Sequence, residues 1–300
     1  MMRIAILGAG GVGAYFGGAL ARAGHQVSML ARGENLDALR ANGLEVRTPE
    51  GSWTVQVHAA DSAAELGPAD LAVVAVKTYS LEEIAPAARL LAQQGADVVP
   101  LLNGVESADQ LVLAGVPDGR VLGGLTEISA ARIAPGIVER RSAFQRVVVG
   151  ERSGGLSERA ERIAAAFRDT GADARASADI TADLWRKLAF ITTMAAACGL
   201  SRSSVGPIRD KPLGHILLER SVREVLAVGS ALGVEVGEED AQRILGFIDS
   251  LPSGLKPSFL LDLEAGRPTE IEDLCGAVSR LGRRAGVETP VNDVATAILG

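Results

Sequence analysis

The chain has 300 residues, 47% of them hydrophobic and 22% charged, with a formal net charge of −7. That is enough apolar material for a substantial core and enough length for two domains. The acidic balance, without any Lys/Arg-rich block, excludes the clustered basic face that phosphate backbones require, so no nucleic acid is expected and small molecules are the expected partners.

Cys198 and Cys275, with His25, His58 and His215, are too few and too scattered to show metal-ligand spacing. No metal is expected, and the cysteines are read as buried free thiols. The N-terminus runs from Met1 and Met2 directly into a strand pattern, lacking the charged, apolar and cleavage regions of a secretory signal. The longest apolar stretch, around 189–200, is interrupted by Thr192 and Thr193 and is too short to span a bilayer. A soluble cytoplasmic protein without a membrane partner is the expectation.

From the start to about Ser177, short β-branched runs alternate with helical patterns, the signature of a parallel sheet covered by helices. Strands are predicted at 3–7, 26–30, 71–76, 97–101, 120–125 and 146–150. Helices are predicted at 12–23, at 81–93 and at 157–170, the second of them opened by a capping box of Ser80 and Glu83. Beyond about Asp179 the strand signals fade and apolar residues recur at helical spacing over 184–197, 213–232, 238–248 and 271–285. The expected fold is an α/β N-terminal Rossmann-type dinucleotide-binding domain over 1–177, followed by an all-α C-terminal domain over 178–300.

The run GAGGVG, with Gly8, Gly10, Gly11 and Gly13, follows the first strand and opens the first helix. In that setting Gly8 permits a tight turn, Gly10 lets the backbone approach a pyrophosphate, and Gly13 allows close helix-to-strand packing while the helix N-terminus faces the anion. At the end of the second strand, where an NAD-preferring chain usually carries Asp or Glu for the ribose diol, the sequence reads Leu30-Ala31-Arg32-Gly33. Arg32 can bond a 2′-phosphate bidentately, so NADP (NADPH) is the expected cofactor, the bland alternative being a solvated strand-end arginine.

Lys77, in VVAVKTY, and Asn103, in LLNG, stand at the C-terminal ends of successive strands, the edge at which open α/β sheets bind ligands. Each could equally cap a strand or a turn. In WRKL, Lys187 is a single lysine on an otherwise apolar helix. It either snorkels to solvent or donates a proton to the alkoxide formed as hydride reaches a ketone, which would require partial desolvation to lower its pKa. Before the last predicted long helix, Thr269 and Glu272 form a capping-box pattern, and Glu270 falls in the first turn, where the helix dipole favours any carboxylate. The functional reading of Glu270 is an acceptor for a substrate hydroxyl and an anchor for Lys187.

Together, GAGGVG, Arg32, Lys77, Asn103-Gly104, WRKL, DLEAGRPTEIEDLCGAV and the later GVETPVN resemble the ketopantoate reductase (2-dehydropantoate 2-reductase) family over nearly the whole chain. The resemblance implies NADPH-dependent reduction of 2-dehydropantoate to pantoate, a step toward coenzyme A. It also implies Lys187 as general acid, Glu270 as substrate-binding carboxylate, Ser258 as a contact to the substrate carboxylate, and Lys77 and Asn103 lining the nicotinamide and substrate site. One departure is present: Ile191 and Ala195 occupy the positions one and two turns after Lys187 where family members usually carry asparagine. A related 2-oxo acid with fewer hydroxyls is therefore an alternative substrate. An opine-type or 6-phosphogluconate-type enzyme and a non-catalytic NADPH-binding sensor are the other readings. The apolar helical half is compatible with a homodimer or with a self-contained core.

Overall fold

The computed structural model describes residues 1–300, which divide into two compact units: Met1–Leu102 with Glu106–Ile180, and Asn103–Val105 with Thr181–Gly300. No helix is long and apolar enough to cross a membrane.

The first unit contains β1 (Arg3–Leu7), α1 (Gly11–Arg22), β2 (Gln26–Leu30), α2 (Gly33–Asn42), β3 (Leu44–Thr48), β4 (Gly51–Val55), β5 (His58–Ala60), β6 (Leu71–Val74), α3 (Leu81–Gln93), β7 (Asp97–Pro100), α4 (Ser107–Leu113), β8 (Gly123–Glu127), β9 (Ala130–Ala134), β10 (Ile137–Arg140), β11 (Arg146–Gly150), α5 (Glu158–Arg168) and β12 (Asp173–Ser177). Its main sheet is five-stranded and wholly parallel in the order β5-β2-β1-β6-β7, so β1 lies at the centre, flanked by β2 and β6. Strands buried on both faces must be apolar throughout, and β6, Leu71-Ala72-Val73-Val74, is buried at every position. This is a Rossmann-like sheet, as the alternation of strand and helix patterns anticipated.

Two further sheets modify that expectation. A four-stranded sheet, β4-β3-β10-β9, packs on α1, and a three-stranded sheet, β12-β11-β8, completes the unit. The predicted strand over 120–125 begins later, at Gly123, because Asp118–Arg120 forms a short 3-10 turn. Two glycines open that strand for a packing reason. A Cβ on Gly123 would sit 2.8 Å from the Ile180 side chain, and one on Gly124 would sit 2.8 Å from the Pro100 carbonyl oxygen.

The second unit is helical: α6 (Ile180–Ser201), α7 (Val205–Arg209), α8 (Pro212–Ala231), α9 (Glu238–Ser250), α10 (Ser258–Glu264), α11 (Cys275–Ala285) and α12 (Pro290–Leu299). Its core gathers Trp185, Leu188, Ala189, Met194 and Cys198 of α6 with Val222, Val225 and Leu226 of α8 and Cys275 and Val278 of α11. Both cysteines are buried and free.

The helix predicted over 271–285 starts only at Cys275, with Leu274 as its N-cap. Residues 271–274 form a turn of mixed winding: the Leu274 amide reaches the Glu270 carbonyl at 3.0 Å and the Ile271 carbonyl at 3.3 Å, and the Gly276 amide reaches the Ile271 carbonyl at 3.0 Å. Thr269 and Glu272 therefore do not form a capping box on α11. Glu272 instead lies 3.7 Å from Arg280.

Candidate active site

Within the first unit, the turn from β1 to α1 has the stereochemistry that a dinucleotide loop needs. Gly8 adopts φ +112°, and a Cβ there would lie 2.6 Å from Val76 Cγ1 and 2.8 Å from the Ala75 carbonyl oxygen. Gly13 is packed so that a Cβ would overlap the carbonyl oxygen of Gly8. Gly10 is different: nothing lies within 4 Å of where its Cβ would be, so a phosphate can approach the backbone at the N-terminus of α1. Gly11 is close-packed under the Ala130 carbonyl of β9. Asn35 adds a brace that the sequence pattern did not reveal. Its amide donates to the Ala9 carbonyl at 3.4 Å and accepts from the Gly136 amide at 2.9 Å, tying the loop to the β9–β10 turn.

Lys77 follows Ala75 and Val76, the residues lying against Gly8, and is the half-buried N-cap of the 3-10 turn Thr78–Ser80. It thus stands at the same sheet edge as the glycine loop. Arg32 is the exposed N-cap of α2, and its Nη1 donates to Glu83 Oε1 in the first turn of α3. This corrects the capping-box expectation for α3. Ser80 makes no side-chain cap hydrogen bond, and the carboxylate of Glu83 turns to the guanidinium, which offers a charged partner in place of a neutral amide.

Within the helical unit, Asn103, Lys187 and Glu270 come together. Lys187 Nζ donates to Asn103 Oδ1 at 3.0 Å, and Asn103 Nδ2 donates to Glu270 Oε2 at 3.2 Å. An ammonium only donates and a carboxylate only accepts, so these bonds fix the orientation of the amide between them. Glu270 is buried, in the turn before α11, where a helical first turn was expected. The neighbouring Gly104 has φ +92°, and its Cβ would lie 3.2 Å from the Asp273 carbonyl, so the Asn103-Gly104 segment closes directly on that turn.

Packing on both sides of Lys187 sets its place on α6. Trp185 is buried against α8, where a Cβ on Gly229 would lie 2.9 Å from its ring. Arg186 pairs with Asp240 at 2.8 Å, and Leu188 is in the core. Lys187 itself is half-buried, and so is Ile191 one turn on. Ala195, expected on the same face, has no exposed surface and belongs to the core, so Ile191 is the departure that retains accessible surface. Ser258 is exposed at the first position of α10 and is not part of the Lys187–Asn103–Glu270 set.

Family models match both parts of the chain: ketopantoate reductase PanE/ApbA over residues 4–154 and ketopantoate reductase PanE/ApbA C terminal over residues 179–300. The chain belongs to the ketopantoate reductase family. A 2-dehydropantoate 2-reductase of Halobacterium salinarum is 34% identical over 294 residues, covering 97% of this chain and 95% of that one. The crystal structure of 2-dehydropantoate 2-reductase from Geobacter metallireducens matches with a TM-score of 0.91 at 30% identity, over 99% of this chain and 98% of the other. A D-mandelate dehydrogenase solved with NADH and anilino(oxo)acetate matches with a TM-score of 0.89 at 25% identity, over 99% and 96% of the two chains. The ketopantoate reductase relatives share this chain's Rossmann-like unit and helical unit, and the family is one of oxidoreductases.

Proposed function

We propose that this chain reduces a small 2-oxo acid to the 2-hydroxy acid with NADPH, and that 2-dehydropantoate, giving pantoate for coenzyme A assembly in the cytoplasm, is its substrate. The observation that carries the reading is the hydrogen-bonded run Lys187–Asn103–Glu270. It supplies a proton donor, a group that orients it and a buried carboxylate, the set a ketone reduction needs.

Residues 1–177 would bind the dinucleotide. Gly8, Gly10, Gly11 and Gly13 fit a pyrophosphate because the loop is open at Gly10 and tightly packed at its other glycines, and Arg32 would take the 2′-phosphate. The chemistry that a bound dinucleotide would supply is hydride transfer to the keto carbon. Lys187, in residues 178–300, donates a proton from Nζ to the substrate oxygen as that oxygen gains negative charge, and its own charge attracts the substrate carboxylate. Asn103 holds the ammonium in one direction. Glu270 accepts a hydrogen bond from a substrate hydroxyl, Ser258 contacts the substrate carboxylate, and Lys77 with Asn103 lines the nicotinamide and substrate site.

Ile191 favours a second reading, a 2-oxo acid with fewer hydroxyls, because a half-buried apolar side chain one turn from Lys187 cannot bond a substrate hydroxyl. The likeness to the D-mandelate dehydrogenase complexed with anilino(oxo)acetate is in line with such a substrate.

The test is a panel of 2-oxo acids followed by NADPH oxidation with product identification. A kcat/KM highest for 2-dehydropantoate supports the first reading, and a preference for an acid without a hydroxyl supports the second. NADPH binding without turnover on any member would instead indicate the sensor.

A further inference from the structure

We infer that Glu83 sets how strongly this chain prefers NADPH over NADH, by competing with the 2′-phosphate for Arg32; the inference rests on the NADPH reading above. Arg32 follows β2 and Glu83 follows β6, the two strands that flank β1. Their ion pair therefore reaches across the sheet edge at which β1 gives way to the glycine loop. Both side chains are open to solvent, 60% and 62% exposed, so the pair is weak and can be exchanged for a ligand.

A 2′-phosphate bound at Arg32 carries between one and a half and two negative charges, by analogy with other phosphate monoesters. To make room for it the guanidinium must give up or share Glu83, leaving a carboxylate beside a like charge. NADH imposes no such conflict. Its ribose hydroxyls can donate to a carboxylate, which is the part an acidic residue usually plays at the end of β2 and which Leu30-Ala31-Arg32 does not supply. Glu83 thus acts against the phosphorylated cofactor and tolerates the other, narrowing the selectivity that Arg32 alone would give. Its place in the first turn of α3, with Ser80 uncapped by any side-chain bond, leaves the carboxylate committed to this cation.

Equilibrium titration of NADPH and NADH fluorescence against the wild type, Glu83→Gln, Arg32→Ala and the double variant tests the inference. Glu83→Gln should tighten NADPH about three- to fivefold and leave NADH equal or weaker, as expected for release of one exposed ion pair. In the Arg32→Ala background the same substitution should change NADPH affinity by less than about twofold. Unchanged or weaker NADPH binding in Glu83→Gln, or an equal gain without Arg32, overturns the competition. Arg32→Ala with no effect on NADPH would overturn the NADPH reading itself.

Discussion

Lys187 and Glu270, 83 positions apart in the chain, are joined through a single side-chain amide: Asn103 accepts from the lysine at 3.0 Å and donates to the carboxylate at 3.2 Å. The amide fixes the direction of the ammonium without adding charge of its own. Asn103→Ala should lower kcat by about one to two orders of magnitude, the value of a lost hydrogen bond to a charged group, with a smaller loss of cofactor affinity from its place beside the nicotinamide. Steady-state kinetics with parallel NADPH titration measures both. An unchanged kcat would contradict the assignment.

The glycine loop separates two functions that one substitution series can resolve. Gly10→Ala places a methyl in open space, so stability to urea should hold while dinucleotide affinity falls about tenfold or more, because the methyl occupies the phosphate approach. Gly13→Ala drives a methyl into the Gly8 carbonyl and should destabilise the fold by about 1 to 3 kcal/mol. Urea melts and cofactor titrations on both variants check the contrast. Equal loss of stability in the two would contradict it.

Burial pushes the thiols of Cys198 and Cys275 up to about 12. The thiolate is the reactive form, so neither cysteine should react with an aromatic disulfide reagent at pH 8 in the native protein, and both should react once it is denatured. Rapid labelling of either residue in the folded state would show that the helical core opens there.

Glu151, just after β11, is held by Arg159 through bonds of 2.7 and 2.5 Å and accepts from Ser157. The Arg159 guanidinium holds this carboxyl below the ordinary value of 4.5, so its contribution to stability is full above pH 4.5 and is lost as pH falls through the lowered value. Glu151→Gln should cost about 1 to 3 kcal/mol at pH 7, and the gap to wild type should close on acidification below 4.5. Denaturant melts across pH read it directly. A gap independent of pH would assign the loss to packing.

Strands β1, β2 and β11 and helix α3 fall where the sequence pattern predicts them, since short apolar runs bounded by polar or glycine residues mark buried strands and α3 is strongly amphipathic. The sheet β4-β3-β10-β9 lies outside the elements that the sequence pattern predicts. β4 is largely exposed and β9 is mostly alanine, which hides both, whereas β3, Leu44-Glu45-Val46-Arg47-Thr48, does carry the alternation of a half-buried strand. The types of the site residues were legible, but their surroundings were not. Ser80–Glu83 has the spacing of a capping box, and only the spatial approach of Arg32 shows where the carboxylate goes. Glu270 likewise fits the first turn of a helix, whereas an irregular turn at 271–274 delays α11 to Cys275 and Glu270 is buried against Asn103.

The most direct test of the account is Lys187→Ala assayed with the preferred 2-oxo acid, beside the same variant titrated with NADPH. With Lys187 as the proton donor, kcat should fall by about two to four orders of magnitude and NADPH affinity should stay within about twofold of wild type. Turnover within a few-fold of wild type would mean that the proton comes from elsewhere.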